Sequence, residues 1–401
     1  MNREFDILIA GAGMVGLTVA LLLAQGDKHG QLNIAVVDAA AAPVVTPSMD
    51  VSLRVSAIAA GTQALFERLA VWQGIADTRA CPYRDMRVWD ATGSVEGPET
   101  LRFDAAEFAL PQLGFIVENV LIQDALLAAL RATGVSVSFD TPLRAVQKCG
   151  QRYAVELGDG RTMLPELLIG ADGAASFVRN SAGISARTWH YAQSAFVTHL
   201  QPEFSHRHTA WQRFHPQGPV ALLPLGDGRV STVWTTTPEQ AAMLMESPDH
   251  QVEALLTDAT DGVLGMLSVA GPRGSFPLRS RHADRYALEG LALVGDAAHA
   301  VHPLAGQGAN LGLADAASLA EQVAGARAAG RHPGDLPALR RYERDRKAAN
   351  KIMLHFIDGL NRLFSNDSAS LARLRGAGMA LFNKSGPIRE RAVQVALGIR
   401  G

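Results

Sequence analysis

Apolar runs and glycine-bearing turns alternate over the first forty residues of the chain. Residues 5–10 form an apolar run, residues 17–25 are rich in Ala and Leu, and residues 33–38 form a second run rich in β-branched side chains. Short apolar runs bounded by glycine predict buried strands, and an Ala/Leu-rich segment of that length predicts a helix. The pattern therefore predicts a βαβ unit of a parallel sheet at the amino terminus.

Two later apolar runs, residues 167–169 and 291–294, end in the same way, at a glycine and an acid. Residues 74–117 and 186–285 lack the alternation of strands and helices, and their β-rich runs predict an antiparallel sheet. We interpret as its strands residues 87–89, 196–200, 220–225 and 230–235.

We therefore expect an α/β protein with a Rossmann-like domain, an interleaved antiparallel-sheet domain and carboxyl-terminal helices. The expected domains are a discontinuous nucleotide-binding domain (residues 1–73, 118–185 and 286–330), a substrate domain (74–117 and 186–285) and a helical region (331–401).

The composition narrows the class of protein. A chain of 401 residues with 48% hydrophobic and 19% charged side chains can bury one or two cores, which excludes a disordered or fibrous protein. The net charge of −2 gives no indication of nucleic-acid binding. Two cysteines, Cys81 and Cys149, are too few for a disulfide framework and favour a cytoplasmic location. The apolar run of residues 5–24 contains three glycines and follows acidic residues, so we interpret it as neither a signal peptide nor a membrane span.

The last sixty residues differ in charge from the rest of the chain. Residues 340–401 contain thirteen Lys or Arg and five Asp or Glu, a net charge of +8, which leaves −10 for residues 1–339. From Lys351 onward, apolar side chains recur with helical period. A helix facing the core explains this stripe, but a basic amphipathic helix can also lie on an anionic membrane or a partner protein.

The first turn carries a nucleotide-binding pattern. Gly11, Gly13 and Gly16 form G-x-G-x-x-G between the predicted strand and helix, and Asp38 ends the second strand. This spacing allows a tight turn, a close approach of the backbone to a pyrophosphate and close packing of helix on strand, while the acid suits a ribose. The pattern predicts a dinucleotide site and leaves FAD and NAD(P) open.

Asp172 in the Asp-Gly pair and Asp296 in the Gly-Asp pair stand at the carboxyl ends of the two later strands. Ligands bind at such ends in open α/β sheets, and a carboxylate there can accept hydrogen bonds from sugar or ribityl hydroxyl groups. Both acids are therefore candidate cofactor contacts.

The three motifs in this order resemble those of the FAD-dependent aromatic hydroxylases of the para-hydroxybenzoate hydroxylase type. Residues 47–58, 117–119 and above all His302-Pro303-Leu304-Ala305-Gly306-Gln307-Gly308-Ala309-Asn310 are similar to the UbiF/UbiI/UbiH hydroxylases of ubiquinone biosynthesis. The similarity extends from about residue 5 to residue 398. Asp38 departs from it, because flavin enzymes more often carry Glu there.

The motifs and the resemblance together imply a set of FAD contacts. These are Gly11, Gly13, Met14, Val15, Gly16, Asp38, Arg54, Gln123, Asp172, Gly295, Asp296, Pro303, Gly306, Gly308, Ala309 and Asn310. The substrate pocket is expected to include His302, Pro303, Phe214 and Leu223. Gln123 is expected to open a helix, and a long helix predicted over residues 309–329 would direct its amino terminus at the flavin.

His299 and His302 have a spacing that could hold a metal, but no third ligand stands nearby and Pro303 interrupts the segment, so we predict no metal site. We name no general base. In the family that the chain resembles, a flavin C4a-hydroperoxide carries the chemistry.

The resulting hypothesis is an FAD-dependent monooxygenase that uses NADH or NADPH and O2 to hydroxylate a prenylated phenol or benzoquinol in ubiquinone biosynthesis. Two alternatives stay open: a hydroxylase of a soluble phenolic acid or secondary metabolite, and a non-catalytic flavin-bound scaffold. Peripheral contact with the inner face of the membrane, or with a ubiquinone-biosynthesis complex, would involve the basic carboxyl-terminal region.

Overall fold

The computed structural model describes residues 5–27, 32–46, 49–302, 306–365 and 369–398. The strands are β1 (Ile7–Ala10), β2 (Ile34–Val37), β3 (Val55–Ala59), β4 (Cys81–Tyr83), β5 (Asp85–Asp90), β6 (Leu101–Asp104), β7 (Gly114–Glu118), β8 (Ser136–Ser138), β9 (Leu143–Cys149), β10 (Arg152–Leu157), β11 (Thr162–Met163), β12 (Leu167–Gly170), β13 (Ala186–Pro202), β14 (Thr209–His215), β15 (Gly218–Pro224), β16 (Val230–Thr236), β17 (Leu267–Val269), β18 (Gly274–Ala283), β19 (Ala287–Leu288), β20 (Leu291–Leu293) and β21 (His299–Ala300). The helices are α1 (Met14–Gly26), α2 (Ala60–Arg68), α3 (Trp72–Arg79), α4 (Asn119–Leu130), α5 (Phe177–Ser181), α6 (Pro238–Glu246), α7 (Asp249–Ala259), α8 (Gln307–Ala328), α9 (Leu336–Phe364), α10 (Ala369–Asn383) and α11 (Pro387–Ala396).

A six-stranded sheet in the order β19-β20-β12-β1-β2-β8 carries the glycine turn of the predicted nucleotide site, and we call this part of the molecule the nucleotide-binding side. Its strands from β20 to β8 are parallel, and only the edge strand β19 is antiparallel. Every residue of β1, β2 and β12 is buried, as expected of parallel strands covered on both faces. The strands predicted at both ends of the chain therefore meet in one sheet.

A second large sheet contains nine strands, with β21-β18-β13-β16-β15-β14-β5-β6 in order and β17 paired to β13. The four predicted strand runs all lie in it, within β5, β13, β15 and β16. The sheet is antiparallel as expected, except that β5 and β14 pair in parallel. Strands β3, β7 and β4 form a smaller sheet.

Strand β13 begins at Ala186 and β18 ends at Ala283, and these two residues pair, while the domain boundaries expected near residues 185 and 285 stay a prediction. The boundary near residue 74 falls inside α3, whose Trp72 and Ile75 pack in the core of the nucleotide-binding side. The late strand β21 joins the nine-stranded sheet although it lies in the segment assigned to the Rossmann-like domain.

The carboxyl-terminal helices pack against both sheets. The buried hydroxyl group of Tyr342 in α9 donates to the carbonyl oxygen of Leu293 in β20 at 2.6 Å. In α10, Arg375 forms a buried ion pair with Asp90 of β5, with Nε and Oδ2 2.9 Å apart. Part of the positive charge of this region therefore neutralises acidic groups of the main body. No helix among the described residues combines the length and apolar character needed to cross a membrane.

Candidate active site

A cavity of about 660 Å³ extends between the glycine turn, the amino terminus of α8 and one face of the nine-stranded sheet. Its walls include ten of the predicted site residues: Gly13, Met14, Val15, Arg54, Gln123, Leu223, Asp296, Gly306, Gly308 and Ala309. These positions are distributed over three hundred residues of sequence. The fold thus brings most of the candidate cofactor contacts to one place.

The turn between β1 and α1 requires glycine at two of its three positions. Gly11 has φ +109°, and a Cβ atom there would lie 2.3 Å from the carbonyl oxygen of Ala171. A Cβ atom at Gly16 would lie 2.0 Å from the carbonyl oxygen of Gly11, so only glycine lets α1 pack this close to the turn. Gly13 differs, because no atom lies within 4 Å of the position that a Cβ would take. This position leaves room for a ligand beside the helix amino terminus.

Asp38 follows β2 as predicted, but its carboxylate is used within the protein. Oδ2 accepts a hydrogen bond from the Ala12 N–H at 2.6 Å and Oδ1 accepts one from the Ala40 N–H at 2.8 Å. Asp38 does not line the cavity, so it braces the glycine turn, and a contact with ribose stays a prediction.

Gln123 also supports the turn, since its Nε2 donates to the carbonyl oxygen of Ala12 at 2.7 Å. It does not open the helix, because α4 begins at Asn119. Arg54 lines the cavity with its guanidinium 5.5 Å from the centre of the Phe276 ring.

The Gly-Asp motif places Asp296 in the cavity wall, where its side chain is exposed to the cavity. The surrounding protein withdraws the group from bulk water and raises the pKa of its carboxyl, although His299, Arg54 and Arg281 oppose the shift. A hydroxyl donor in the cavity would stabilise the carboxylate in this position.

A buried network holds the backbone of the Gly-Asp motif. Asp315 of α8 accepts hydrogen bonds from the Gly295 N–H at 3.2 Å and from Arg346 Nε at 2.7 Å, and its Oδ2 lies 2.5 Å from Nε2 of His299. Burial pushes the pKa of Asp315 upward, but His299 and Arg346 outweigh it and hold the pKa below its usual value. No local sequence pattern indicates this network, because its members come from separate elements.

Asp172 stands beside the cavity, between Ala171 and Gly173, which line it. Its Oδ2 accepts a hydrogen bond from the Val178 N–H at 3.0 Å at the start of α5. Its Oδ1 is buried and has no hydrogen-bond partner among the residues that the structure describes. A buried acceptor without a partner is costly, and a ligand that donates a hydrogen bond would relieve that cost.

The amino terminus of α8 faces the cavity through Gly306, Gly308 and Ala309. Gly306, at φ +62°, caps the helix, which starts two residues earlier than expected. The Asn310 side chain points elsewhere: its Nδ2 donates to the Ala57 carbonyl oxygen at 2.8 Å, and its Oδ1 accepts from the Ala59 N–H at 3.1 Å. Pro303, predicted in both the cofactor and the substrate sets, lies outside the described residues.

The far wall of the cavity is formed by alternate residues of β14, β15 and β16, as expected of one face of a sheet. The residues of this wall, which we call the sheet wall, are Ala210, Gln212, Pro219, Ala221, Leu223, Val233 and Thr235. Only Leu223 was predicted. The alternation of these strands, read together with their pairing, would have identified the others.

Two predicted pocket residues lie outside the cavity wall. Phe214 shares the face of Gln212 on β14, but its ring stacks on Phe364 of α9 with the centroids 4.0 Å apart. His302 is completely buried, edge-on to Tyr191 at 5.0 Å. Burial lowers the pKa of His302 to about 4, opposed by Asp358. Phe214 therefore packs against α9, whereas His302 packs against Tyr191 of β13.

The lining residues that can ionise in the described part of the chain are Arg54, Tyr83 and Asp296. Burial raises the pKa of Tyr83 to about 12, so its hydroxyl group stays neutral. Among the same described residues, no three His, Cys, Asp or Glu side chains are grouped as a metal site would require.

Comparisons with known proteins agree with this geometry. Residues 4–356 match the FAD binding domain family. The chain is 38% identical over 400 residues to 3-demethoxyubiquinol 3-hydroxylase of Escherichia coli strain K12, covering 99% of this chain and 100% of the relative. It is 37% identical over 398 residues to ubiquinone hydroxylase UbiL of Rhodospirillum rubrum, covering 99% of this chain and 90% of the relative. It is 34% identical over 440 residues to human mitochondrial ubiquinone biosynthesis monooxygenase COQ6, covering 98% of this chain and 93% of the relative.

Among solved structures, p-nitrophenol 4-monooxygenase PnpA from Pseudomonas putida superposes with a TM-score of 0.78 at 18% sequence identity, covering 99% of this chain and 97% of that one. At this identity the likeness concerns the fold alone.

Proposed function

The chain belongs to the FAD binding domain family and, within it, to the FAD-dependent monooxygenases of ubiquinone biosynthesis, and we propose that it hydroxylates the aromatic ring of a polyprenyl phenol or benzoquinol. The observation that carries this proposal is the division of the cavity. Charged side chains stand where the flavin would bind, at Arg54 and Asp296, whereas the sheet wall is uncharged. A neutral ring with an apolar tail fits such a wall, because burying a charge without a partner is costly.

The residues around the cavity fit FAD. Space beside Gly13 suits a pyrophosphate at the amino terminus of α1, and Asp296 offers an acceptor to the ribityl hydroxyl groups. The amino terminus of α8 offers backbone N–H groups and a positive dipole end to the reduced ring. When bound, FAD supplies the redox chemistry that transfers one atom of O2 to the substrate.

The protein then has three tasks that its own residues can perform. The α8 terminus stabilises negative charge, the sheet wall holds the aromatic ring, and the apolar side chains around it exclude water. NADH or NADPH would serve as a transient reductant, since the chain has a single G-x-G-x-x-G motif and the family's Asp-Gly motif at Asp172.

A soluble phenolic acid suits the sheet wall less well. Its carboxylate needs a cation, and the sheet wall offers none among its described residues. Expression of the chain in bacterial strains that each lack one ubiquinone hydroxylation step tests the proposal. We expect restored ubiquinone in at least one strain and loss of the intermediate that it accumulates, identified by mass. Failure in every strain, with the flavin-loaded protein present, would refute the proposed substrate class.

We also propose that the carboxyl-terminal helices dock on an anionic membrane, where a polyprenylated substrate resides. Apolar side chains are exposed on one face of α9 at Ile352 (71%), Phe356 (59%) and Leu363, and on α10 at Leu381 (71%). Exposed Lys351 and Lys384 accompany them. Apolar anchors surrounded by cations match the chemistry of an interface rich in anionic lipid.

Deleting these helices would not test docking, because their residues are buried against the main body. Arg375 pairs with Asp90 of β5, and Val393 of α11 and Leu397 just after it are buried in a cluster with Ala105 and Leu113. Point variants are suitable. Phe356→Ser with Leu381→Ser should lower co-sedimentation with anionic vesicles about tenfold or more, because each side chain loses about 1.5–3 kcal/mol of burial. Met266→Ser is the matched control, because Met266 is 73% exposed and lies just before β17. Equal binding of the double variant and wild type would contradict docking, and binding that is equal on uncharged vesicles would contradict the role of charge.

A further inference from the structure

One side chain on the sheet wall differs from its neighbours. Residues 210, 212 and 214 of β14 point to one face, and the register places Gln212 opposite Ala221, which is itself opposite Val233. Gln212 therefore stands in a row with small and apolar side chains on both of these strands. It is the only amide on the sheet wall.

Among the residues that the structure describes, three amide side chains line the cavity, and two of them are used within the protein. Asn119 Oδ1 accepts a hydrogen bond from Ser56 Oγ at 2.6 Å, and Gln123 Nε2 donates to the Ala12 carbonyl oxygen at 2.7 Å. Gln212 is 7% exposed and has no side-chain hydrogen bond to any described residue. The amide atoms of Gln212 are not among the fully buried polar atoms without a partner, so they are accessible from the cavity, where a ligand can take the place of water as their hydrogen-bond partner.

We propose that Gln212 is a specificity-determining residue whose carboxamide hydrogen-bonds the hydroxyl group of the substrate ring. This inference rests on the proposed function and names the contact that orients the ring. The amide can accept the phenolic hydrogen at Oε1 and donate to the ring oxygen from Nε2, and it needs no counter-charge for either bond. Fixing one ring oxygen against the sheet wall limits which ring carbon faces the flavin.

The test is a double-mutant cycle between the protein and the ligand. A short-chain prenylphenol and the matching prenylbenzene, which lacks the hydroxyl group, are titrated into the flavin-loaded wild type and Gln212→Leu. The change in flavin absorbance reports the dissociation constant without turnover. We expect wild type to prefer the phenol about five- to tenfold, as one neutral hydrogen bond predicts, and Gln212→Leu to lose most of that preference. An undiminished preference in Gln212→Leu would overturn the inference.

Two further variants distinguish a direct contact from a structural effect. Gln193 is a buried amide of the same sheet whose Nε2 donates to the Gln217 carbonyl oxygen at 2.6 Å, outside the cavity wall. Gln193→Leu should lower the melting temperature and leave the phenol preference unchanged, whereas Gln212→Leu should not lower the melting temperature. Tyr83→Phe removes a phenolic hydroxyl group from the cavity wall, and loss of the preference in that variant alone would reassign the contact to Tyr83 and refute the role of Gln212.

The outcome is separable from that of the proposed function. If wild type binds the phenol but restores no ubiquinone, the proposed function fails while the cycle can still be read. If wild type restores ubiquinone and the cycle shows no coupling, only the role of Gln212 fails.

Discussion

Gly16 and Gly26 lie in the same helix, α1, but an added methyl group would meet different surroundings. At Gly16 the methyl carbon would lie 2.0 Å from the carbonyl oxygen of Gly11 and 3.1 Å from Cβ of Ala171, whereas at Gly26 nothing lies within 4 Å. Gly16→Ala therefore forces α1 away from the glycine turn. Overpacking of this kind costs about 1–3 kcal/mol. Replacing glycine by alanine in a helix gains up to about 1 kcal/mol, so Gly26→Ala should be neutral or stabilising.

Urea denaturation of the two variants without cofactor measures this difference in the free energy of unfolding. We expect Gly16→Ala to be less stable than Gly26→Ala by about 1–3 kcal/mol, with weaker FAD binding in flavin-fluorescence titrations. Gly13→Ala gives the converse test, because its methyl group meets no protein atom and should lower FAD affinity with little loss of stability. Equal unfolding free energies for Gly16→Ala and Gly26→Ala would show that the close contact at Gly16 does not limit stability. Unchanged FAD affinity in Gly13→Ala would show that the space beside Gly13 does not hold the cofactor.

Three further predictions concern buried charge. Because burial raises the pKa of Asp296, its ionised carboxylate lowers the stability of the cofactor-free protein at neutral pH. We therefore expect cofactor-free Asp296→Asn to be at least as stable as wild type in denaturation, and to bind FAD about tenfold more weakly or worse in titration. Reduced stability with normal FAD affinity would contradict this. Burial lowers the pKa of His302 and of His282 to about 4, so both histidines take up protons on unfolding. The free energy of unfolding should therefore fall as pH drops from about 6.5 to about 4, and its dependence on pH should be weaker in His302→Phe. An unchanged pH dependence in that variant would contradict the prediction. Arg375→Met leaves Asp90 buried without its cationic partner and should lower the free energy of unfolding by about 3–5 kcal/mol in urea denaturation. The double variant Arg375→Met with Asp90→Asn should recover much of this loss. A loss below about 1 kcal/mol in the single variant would show that the ion pair is unimportant for stability.

The parallel sheet could be predicted from the sequence because its strands are buried on both faces. Each of β1, β2, β12 and β20 is a continuous apolar run, and a glycine or an acid marks its end. The cofactor end of the cavity could be predicted for the same reason, since Gly13 and Asp296 belong to local motifs at these strand ends. Local patterns thus located the parts of the site that depend on one turn or one strand end.

The sheet wall could not be predicted from local pattern. Gln212 and Phe214 lie on the same face of β14, yet Gln212 lines the cavity and Phe214 packs under Phe364, some 150 residues later in the chain. The position of His302 beside the flavin motif predicts a pocket residue, but its side chain is completely buried against Tyr191. Which face of a strand reaches a cavity depends on contacts between distant segments, which periodicity does not report.

The basic carboxyl-terminal region shows a similar limit. Its net charge of +8 suggested a separate element, yet Arg346, Arg375 and Arg389 form ion pairs with acids of the main body. Total charge records neither partners nor burial. The exposed apolar residues of α9 and α10 give the membrane proposal a firmer basis than the charge does.

If one cavity brings the flavin to a neutral aromatic ring, an oxygen atom from O2 must appear on that ring, and a labelling experiment measures this transfer. The purified, FAD-loaded protein is incubated with reduced nicotinamide, isotopically heavy O2 and a short-chain prenylphenol, and the products are analysed by mass spectrometry. We expect a ring-hydroxylated product that carries one heavy oxygen atom, formed in proportion to the nicotinamide oxidised. Oxidation of the nicotinamide with release of hydrogen peroxide and no labelled ring product, across prenylphenols and benzoquinols alike, would contradict it.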